Sequence, residues 1–309
     1  VVCELGFDGL DINMGCPSKS VAASGSGAAL IKTPDLAHAI LRAAKQGLED
    51  WAAGQSIHSQ GFKPSRIEFV HELNYRRSGF PVVPRRLLPL SVKTRLGFDC
   101  VVVERWVEHL LEARPAAITV HGRTLQQMYR GAADWTAIAE AAKLAQGTET
   151  LILGNGDLTT LVDAVRRVAE SRVQGVLVGR GTLGAPWFFR EKEQARSAFI
   201  ERLDLSALPA TMWEPPVSLR HRMQVMLDHA RQYEAIAGLE CFRSIRKHLG
   251  WYCKGFSHAA AMRGKMFGVS NVEDVERIVA EFCQDLMLEE VAAPDHAPSE
   301  IPLPHSCAS

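Results

Sequence analysis

Five short apolar runs, each followed by a stretch with helical spacing, constrain this chain more than any other feature. The runs are Phe7–Asn13, Leu88–Arg95, Ala117–His121, Leu151–Asn155 and Gly175–Gly179. After them, segments such as Val103–Leu111, Trp135–Ala145 and Leu158–Val168 place apolar residues three and four apart, the period of an amphipathic helix. Apolar strands alternating with helices predict a parallel sheet covered on both sides. The runs end in polar residues: Asn13, Lys93 with Arg95, His121 with Arg123, Asn155 with Asp157, and then Arg180. Polar residues at C-terminal strand ends form the active site of a β/α barrel. An open doubly wound sheet also puts its ligand there. Five successive strands of this kind favour the barrel.

The first run leads into Asp11-Ile-Asn-Met-Gly-Cys-Pro-Ser-Lys19, then a glycine-loosened loop from Ser20 that turns into a helix. Cys16 therefore lies at the mouth of a strand-to-helix turn. Gly15 lets the backbone approach a neighbour closely, and Pro17 fixes its own φ and removes a donor. Most cysteines are small buried hydrophobes. A thiol held at a strand terminus by such a turn is instead placed for chemistry.

The last two strand ends read as an anion site. Gly154-Asn155-Gly156-Asp157 and Gly179-Arg180-Gly181 set glycines between a strand and the following segment. Backbone N–H groups exposed there favour an anion. In β/α barrels phosphate sits in the loops after strands seven and eight. On that count the run containing Cys16 is strand four, and the barrel lacks its first three βα units.

Together these motifs resemble the tRNA-dihydrouridine synthases, in particular the bacterial, FMN-dependent group. The resemblance rests on Asp11-Ile-Asn-Met-Gly-Cys-Pro17, Ser91-Val-Lys-Thr-Arg-Leu-Gly97, Val120-His-Gly-Arg-Thr124, Gly154-Asn-Gly-Asp157 and Val178-Gly-Arg-Gly181, in that order. Arg246-Lys-His-Leu-Gly-Trp-Tyr-Cys-Lys-Gly255 is similar to the family's C-terminal domain. The resemblance implies reduction of uridine in tRNA to 5,6-dihydrouridine, with FMN as carrier and NADPH as reductant. It makes Cys16 the general acid for C5 of the uracil. It assigns Lys93, His121, Asn155, Gly156, Asp157, Gly179 and Arg180 to FMN, and turns Asn13 and Arg95 toward the target base. The chemistry suits these residue types. Hydride arriving at C6 leaves enolate-like charge that needs cationic or N–H donors and a nearby proton. Thiols titrate at about 8.5 in reference peptides and so can donate a proton near neutrality.

Composition narrows the remaining choices. A chain of 309 residues can hold a barrel plus a smaller domain. No apolar run is long enough to span a membrane, and without a signal-peptide pattern the default expectation is cytoplasmic. Seven cysteines with no C-x-x-C pair argue against a disulfide framework and against a structural metal site. No obligate protein partner is evident.

Net charge is zero, but it is unevenly spread. Val217–Gly268 holds nine Lys or Arg against three Asp or Glu, a local +6. A helix after Gly238 would set Arg243, Lys247 and Lys254 within about 40° of one another, opposite Ile245, Leu249, Tyr252 and Phe256. Beside the motifs above, we read Arg243 and Lys247 as tRNA-phosphate contacts.

The expected organisation is a partial (β/α)8 TIM barrel over 1–190 and a connecting helix and linker over 191–216. A small C-terminal helical bundle of about four helices follows over 217–290, and a disordered tail over 291–309. Residues 50–88 exceed an ordinary helix-to-strand connection and read as a surface insertion on the face away from the mouth. Because the chain opens at Val1 directly before the first run, residues 1–309 alone are expected to lack a closed barrel and not to be a competent enzyme, with poor solubility and little bound FMN. Two other readings stay open here: a flavin-dependent reductase or dehydrogenase of a free pyrimidine, and a non-catalytic RNA-binding fragment.

Overall fold

The computed structural model describes residues 1–193, 196, 197 and 217–292, the side chains of 59 and 283–292 apart. The expected linker at 205–216 and the tail beyond 292 lie outside the described residues, as does most of the connecting helix. Two compact units are present: Val1–Thr182 with Trp187–Glu214, and Leu183–Pro186 with Pro215–Ser309.

In the first unit, five strands, β1 (Leu10–Asn13), β2 (Leu90–Arg95), β3 (Ala117–His121), β4 (Leu151–Asn155) and β5 (Gly175–Leu177), form one sheet in the order β1-β2-β3-β4-β5. Every pairing is parallel. Among the described residues six α-helices accompany them: α1 (Lys19–Ala23), α2 (Pro34–Ala52), α3 (Pro64–Ser78), α4 (Val103–Glu112), α5 (Trp135–Leu144) and α6 (Leu161–Ser171). The strand order never reverses, and right-handed crossovers then carry every helix to the same face. Accordingly α2 packs on α4, α4 on α5, and α5 on α6 as a single layer. A doubly wound sheet reverses its order at a switch point, and the five described strands show no reversal.

The helices cover one sheet face only, contrary to the two-sided cover expected from apolar runs. The reason is alternation within the runs, since successive side chains point to opposite faces. Leu90, Val92, Ile118, Val120 and Ile152 are buried toward Leu41, Trp106, Val107, Leu110, Ile138 and Ala141. Trp106 Nε1 donates to Thr94 Oγ1 at 2.9 Å, marking Thr94 as part of that face. The opposite face carries Asp11, Asn13, Ser91, Lys93, Arg95, Thr119, His121 and Asn155, and Ser91 Oγ donates to Asp11 Oδ1 across β1 and β2 at 2.7 Å.

Boundaries move at three places. β1 begins at Leu10, because Gly6 is left-handed at φ 69° and the ladder starts where Leu10 N reaches Pro89 O at 2.9 Å. β5 stops at Leu177. α6 starts at Leu161, where the Thr160 hydroxyl accepts from Asp163 N.

The segment expected as a surface insertion is largely the helix α3, entered at Pro64 and closed by left-handed Gly79. Its buried Asn74 donates to Glu4 O at 2.6 Å, and Arg85 Nη1 donates to Trp51 O in the last turn of α2 and to Gln55 O at 2.8 Å. These bonds fasten the segment to residues 1–9 and to the end of α2.

The second unit contains α7 (Leu219–Ala237), α8 (Arg246–Tyr252), α9 (Ala259–Met266) and α10 (Val272–Ala292) among its described residues. Met226, Phe242, Leu249, Met266 and Val275 form its buried interior. The continuous helix expected after Gly238 is two pieces: Leu239–Ile245 is 3-10, and α8 ends before Lys254. Tighter winding breaks the expected angular alignment. Among the described residues no helix is long and apolar enough to cross a membrane.

Candidate active site at the strand ends

The C-terminal ends of β1 to β4 and the segment after β5 bring most of the predicted residues together. Register pairs Asn13 with Lys93, Arg95 with His121, and His121 with Asn155. Since these residues share one sheet face, they form a polar row at one end of the sheet.

Cys16 is half-buried and reduced. The peptide before it is held at both ends: Gly15 N donates to Asn13 Oδ1 at 3.0 Å, and Gly15 O accepts Arg95 Nε at 2.8 Å. Cys16 O accepts Ala28 N at 3.2 Å. Gly27, at φ 61°, lies so close that a Cβ there would stand 2.9 Å from Cys16 O. The thiol therefore projects from a backbone fixed on both sides. Asn13 and Arg95 were expected to face a base. In the structure Asn13 Oδ1 and Arg95 Nε hold this turn, and Arg95 Nη1 donates to Thr124 O at 3.0 Å. Arg95 is only 3 % exposed. The Asn13 amide nitrogen remains without a partner among the described residues.

Lys93 is half-buried and has no hydrogen-bond partner among the described residues. Burial lowers its pKa, Arg95 lowers it further, and Asp11 opposes both. Such a cation is matched by an anion or a strong acceptor. His121 is pushed down to about 3 by burial and by the charges of Arg95, Lys93 and Arg123, so the ring is neutral.

Asp157 lies in the left-handed region at φ 51°. Its Oδ2 accepts Arg123 Nη2 at 2.6 Å and Ala133 N at 2.8 Å, while Oδ1 accepts Arg180 Nη2 at 3.1 Å. Burial would raise this carboxyl, but the Arg123 and Ala133 hydrogen bonds, with the Arg123 and Arg180 charges, hold it below its usual range. Asp157 is thus an internal counter-ion. Arg180 lies over the Tyr129 ring, 5.2 Å from its centroid, and stays mostly exposed. Asn155 Nδ2 donates to Leu177 O at 2.8 Å, tying β4 to β5. Gly154 belongs to packing rather than to an anion turn, since a Cβ there would run into the Trp135 ring. The N–H groups of Gly156, Asp157, Gly179 and Arg180 meet no acceptor among the described residues.

Sequence reasoning gave Arg123 no role and passed over Tyr129. Arg123 is 2 % exposed, and its partner Asp157 lies 34 positions away. Only the alternation that puts polar residues at the ends of β3 and β4 hinted at the pairing. Arg243 and Lys247 belong to the helical unit, where both are exposed and neither is hydrogen-bonded or ion-paired among the described residues. Lys254, by contrast, donates to Leu183 O at 3.0 Å, and Arg246 Nε to Val269 O at 2.6 Å.

The chain matches the family model described as dihydrouridine synthase over residues 1–51 and 82–290, passing over most of the segment that holds α3. A probable tRNA-dihydrouridine synthase 1 of Synechocystis sp. is 28% identical over 271 residues, 87% of this chain and 61% of that protein. A probable tRNA-dihydrouridine synthase 2 of Bacillus subtilis is 28% identical over 284 residues, 91% of this chain and 70% of its own length. A probable tRNA-dihydrouridine synthase of Rhodobacter capsulatus is 32% identical over 269 residues, 86% of this chain and 66% of its own length. The chain therefore spans 61% to 70% of the length of these relatives. It belongs to the dihydrouridine synthase family.

Proposed function

We propose that this chain reduces uridine in tRNA to 5,6-dihydrouridine at the polar row, with FMN as cofactor and NADPH as reductant. The observation that carries the reading is the convergence of a rigidly held thiol with a desolvated, unpartnered lysine at one strand-end mouth. The residues present fit the cofactor. Lys93 offers a charge without a protein partner, and His121 a neutral ring. The free N–H groups of Gly156, Asp157, Gly179 and Arg180 suit a phosphate. A Cβ on Gly179 would meet nothing within 4 Å, so a group can approach that backbone.

FMN held by Lys93, His121 and the Gly156–Asp157 and Gly179–Arg180 N–H groups would supply the hydride that uracil C6 needs. Cys16 delivers the proton to C5 from a backbone that Asn13 and Arg95 immobilise. Lys93 stabilises negative charge as it develops in the mouth. The free Asn13 amide donates to a pyrimidine carbonyl. A base in folded RNA must leave its stack to reach this row. We further infer that the five strands are the fourth to eighth of a (β/α)8 barrel. The unreversed order and the single helix layer support that reading, and the enzyme would work in the cytoplasm, where tRNA is.

Lys93→Ala tests the cofactor assignment. Loss of a charge-assisted contact is expected to weaken FMN binding by roughly 10- to 100-fold, read by fluorescence titration of the apoprotein. An unchanged dissociation constant removes Lys93 from the site. Replacing both Arg243 and Lys247 with Gln tests the tRNA face. Each lost phosphate contact should lower the log–log salt slope of tRNA binding by about 0.7–0.9, while FMN affinity stays unchanged. A slope equal to that of the unmodified protein would mean that this face only meets solvent.

A further inference from the structure

Arg123 is the most deeply buried cation of the strand-end mouth, and no step above uses it. Nε donates to Arg130 O at 3.3 Å, Nη2 donates to Gly131 O and to Asp157 Oδ2 at 2.6 Å, and Nη1 faces His121 Nε2 at 3.5 Å. One side chain thus joins the loop after β3, the turn after β4 and the ring at the end of β3. A guanidinium has five N–H donors and no acceptor. The ring nitrogen it faces must therefore accept, and the ring proton must sit on Nδ1.

We infer that Arg123 is a positioning residue: it fixes His121 as the neutral Nδ1–H tautomer and, through Asp157, ties that ring to the Gly156–Asp157 turn. The inference deepens the flavin reading of this mouth and rests on it only for the consequence in binding. The groups around the ring agree. Lys93 and Arg95 approach from β2, Arg123 from the loop after β3, and Asp157 from the turn after β4. The one carboxylate already accepts from Arg123, Ala133 N and Arg180, and its pull toward an imidazolium is outweighed by burial and the three cations. With the ring at about 3, His121 remains a neutral donor across the physiological range. Binding that uses its Nδ1–H is then flat in pH.

The test is 15N NMR of histidine-labelled protein, with His121 assigned by its loss in His121→Gln, together with FMN titrations at several pH values. In the unmodified protein His121 should show the Nδ1–H tautomer and no titration between pH 5 and 8. Either the Nε2–H form or a midpoint within that range overturns the proposal, whatever the variants do. Arg123→Met should raise the ring's midpoint and mix the tautomers, because it removes the donor facing Nε2 and one of the three cations beside the ring. The fraction of neutral ring in the Nε2–H form no longer offers Nδ1–H, so FMN affinity should fall in proportion to that fraction. Asp157→Asn keeps the donor facing Nε2, so its tautomer should persist while FMN affinity drops equally at every pH. If Asp157→Asn shifts the tautomer as Arg123→Met does, net charge rather than the guanidinium donor sets the ring, and the proposal fails. The NMR readout needs no flavin. A correct tautomer in a protein that binds no FMN would overturn the cofactor reading and leave this one standing.

Discussion

Cys16→Ala is expected to abolish nearly all uridine reduction while leaving FMN retention and tRNA affinity in place. General-acid catalysis contributes about 10²–10⁴-fold, and in the proposed mechanism no other side chain supplies the proton for C5. The variant should fold normally. What holds this turn is backbone: Gly15 N to Asn13, Gly15 O to Arg95, and Cys16 O from Ala28 N. Removing Sγ touches none of these. The loss should therefore appear in single-turnover dihydrouridine formation and not in binding. Turnover within about threefold of the unmodified protein would take Cys16 out of the mechanism.

Gly97→Ala should have the largest effect on folding. Gly97 follows β2 by two residues, and a Cβ there would overlap the Cys100 carbonyl oxygen. Neither side can yield cheaply. Val102 N donates to Leu96 O at 2.9 Å and closes the loop, while Leu125 N donates to Gly97 O at 2.9 Å and ties it to the segment after β3. Relief needs movement of that backbone, at about 3 kcal/mol. Thermal unfolding of the first unit should shift down by roughly 6–12 °C. Arg95 donates to Thr124 O and Met128 O in that same segment after β3 as well as to Gly15 O, so the Gly15 clamp would loosen too. An unaltered melting temperature would mean that the loop relaxes freely.

Much of this was legible in the residues, and each failure has a physical cause. β3 and β4 fall where the branched aliphatic runs end in polar residues, because nothing nearby competes with the ladder. The first run was read too long: Phe7 is apolar, yet left-handed Gly6 interrupts the extended chain before it, and Phe7 is 53 % exposed. One-sided helix cover was visible in Ser91 and Lys93 alternating with Leu90 and Val92, but the apolar runs as a whole hid it. Pro64 and Gly79 mark the ends of α3 by the usual asymmetry of helix termini, though the segment's length suggested only an insertion. In the helical unit a period of 3.6 was assumed where the chain winds as a 3-10 helix.

The site shows the same division. Residue types and strand ends identified the row containing Asn13, Lys93, Arg95, His121 and Asn155. Which atoms are already engaged was not legible, because bonds such as Arg95 to Gly15 or Arg123 to Asp157 join residues far apart in sequence. That separates groups free for a ligand, such as Lys93, from groups that hold the frame, such as Asp157.

The most direct measurement is nucleoside mass spectrometry of unmodified tRNA transcript incubated with FMN, NADPH and the protein completed by the first three βα units of the proposed barrel, beside a parallel reaction on free uridine. Dihydrouridine should accumulate at a defined position in the tRNA, depend on both FMN and NADPH, and be absent from the free-uridine reaction. Reduction of free uridine with the tRNA left untouched, or no reduction of either by protein carrying FMN, would contradict the account.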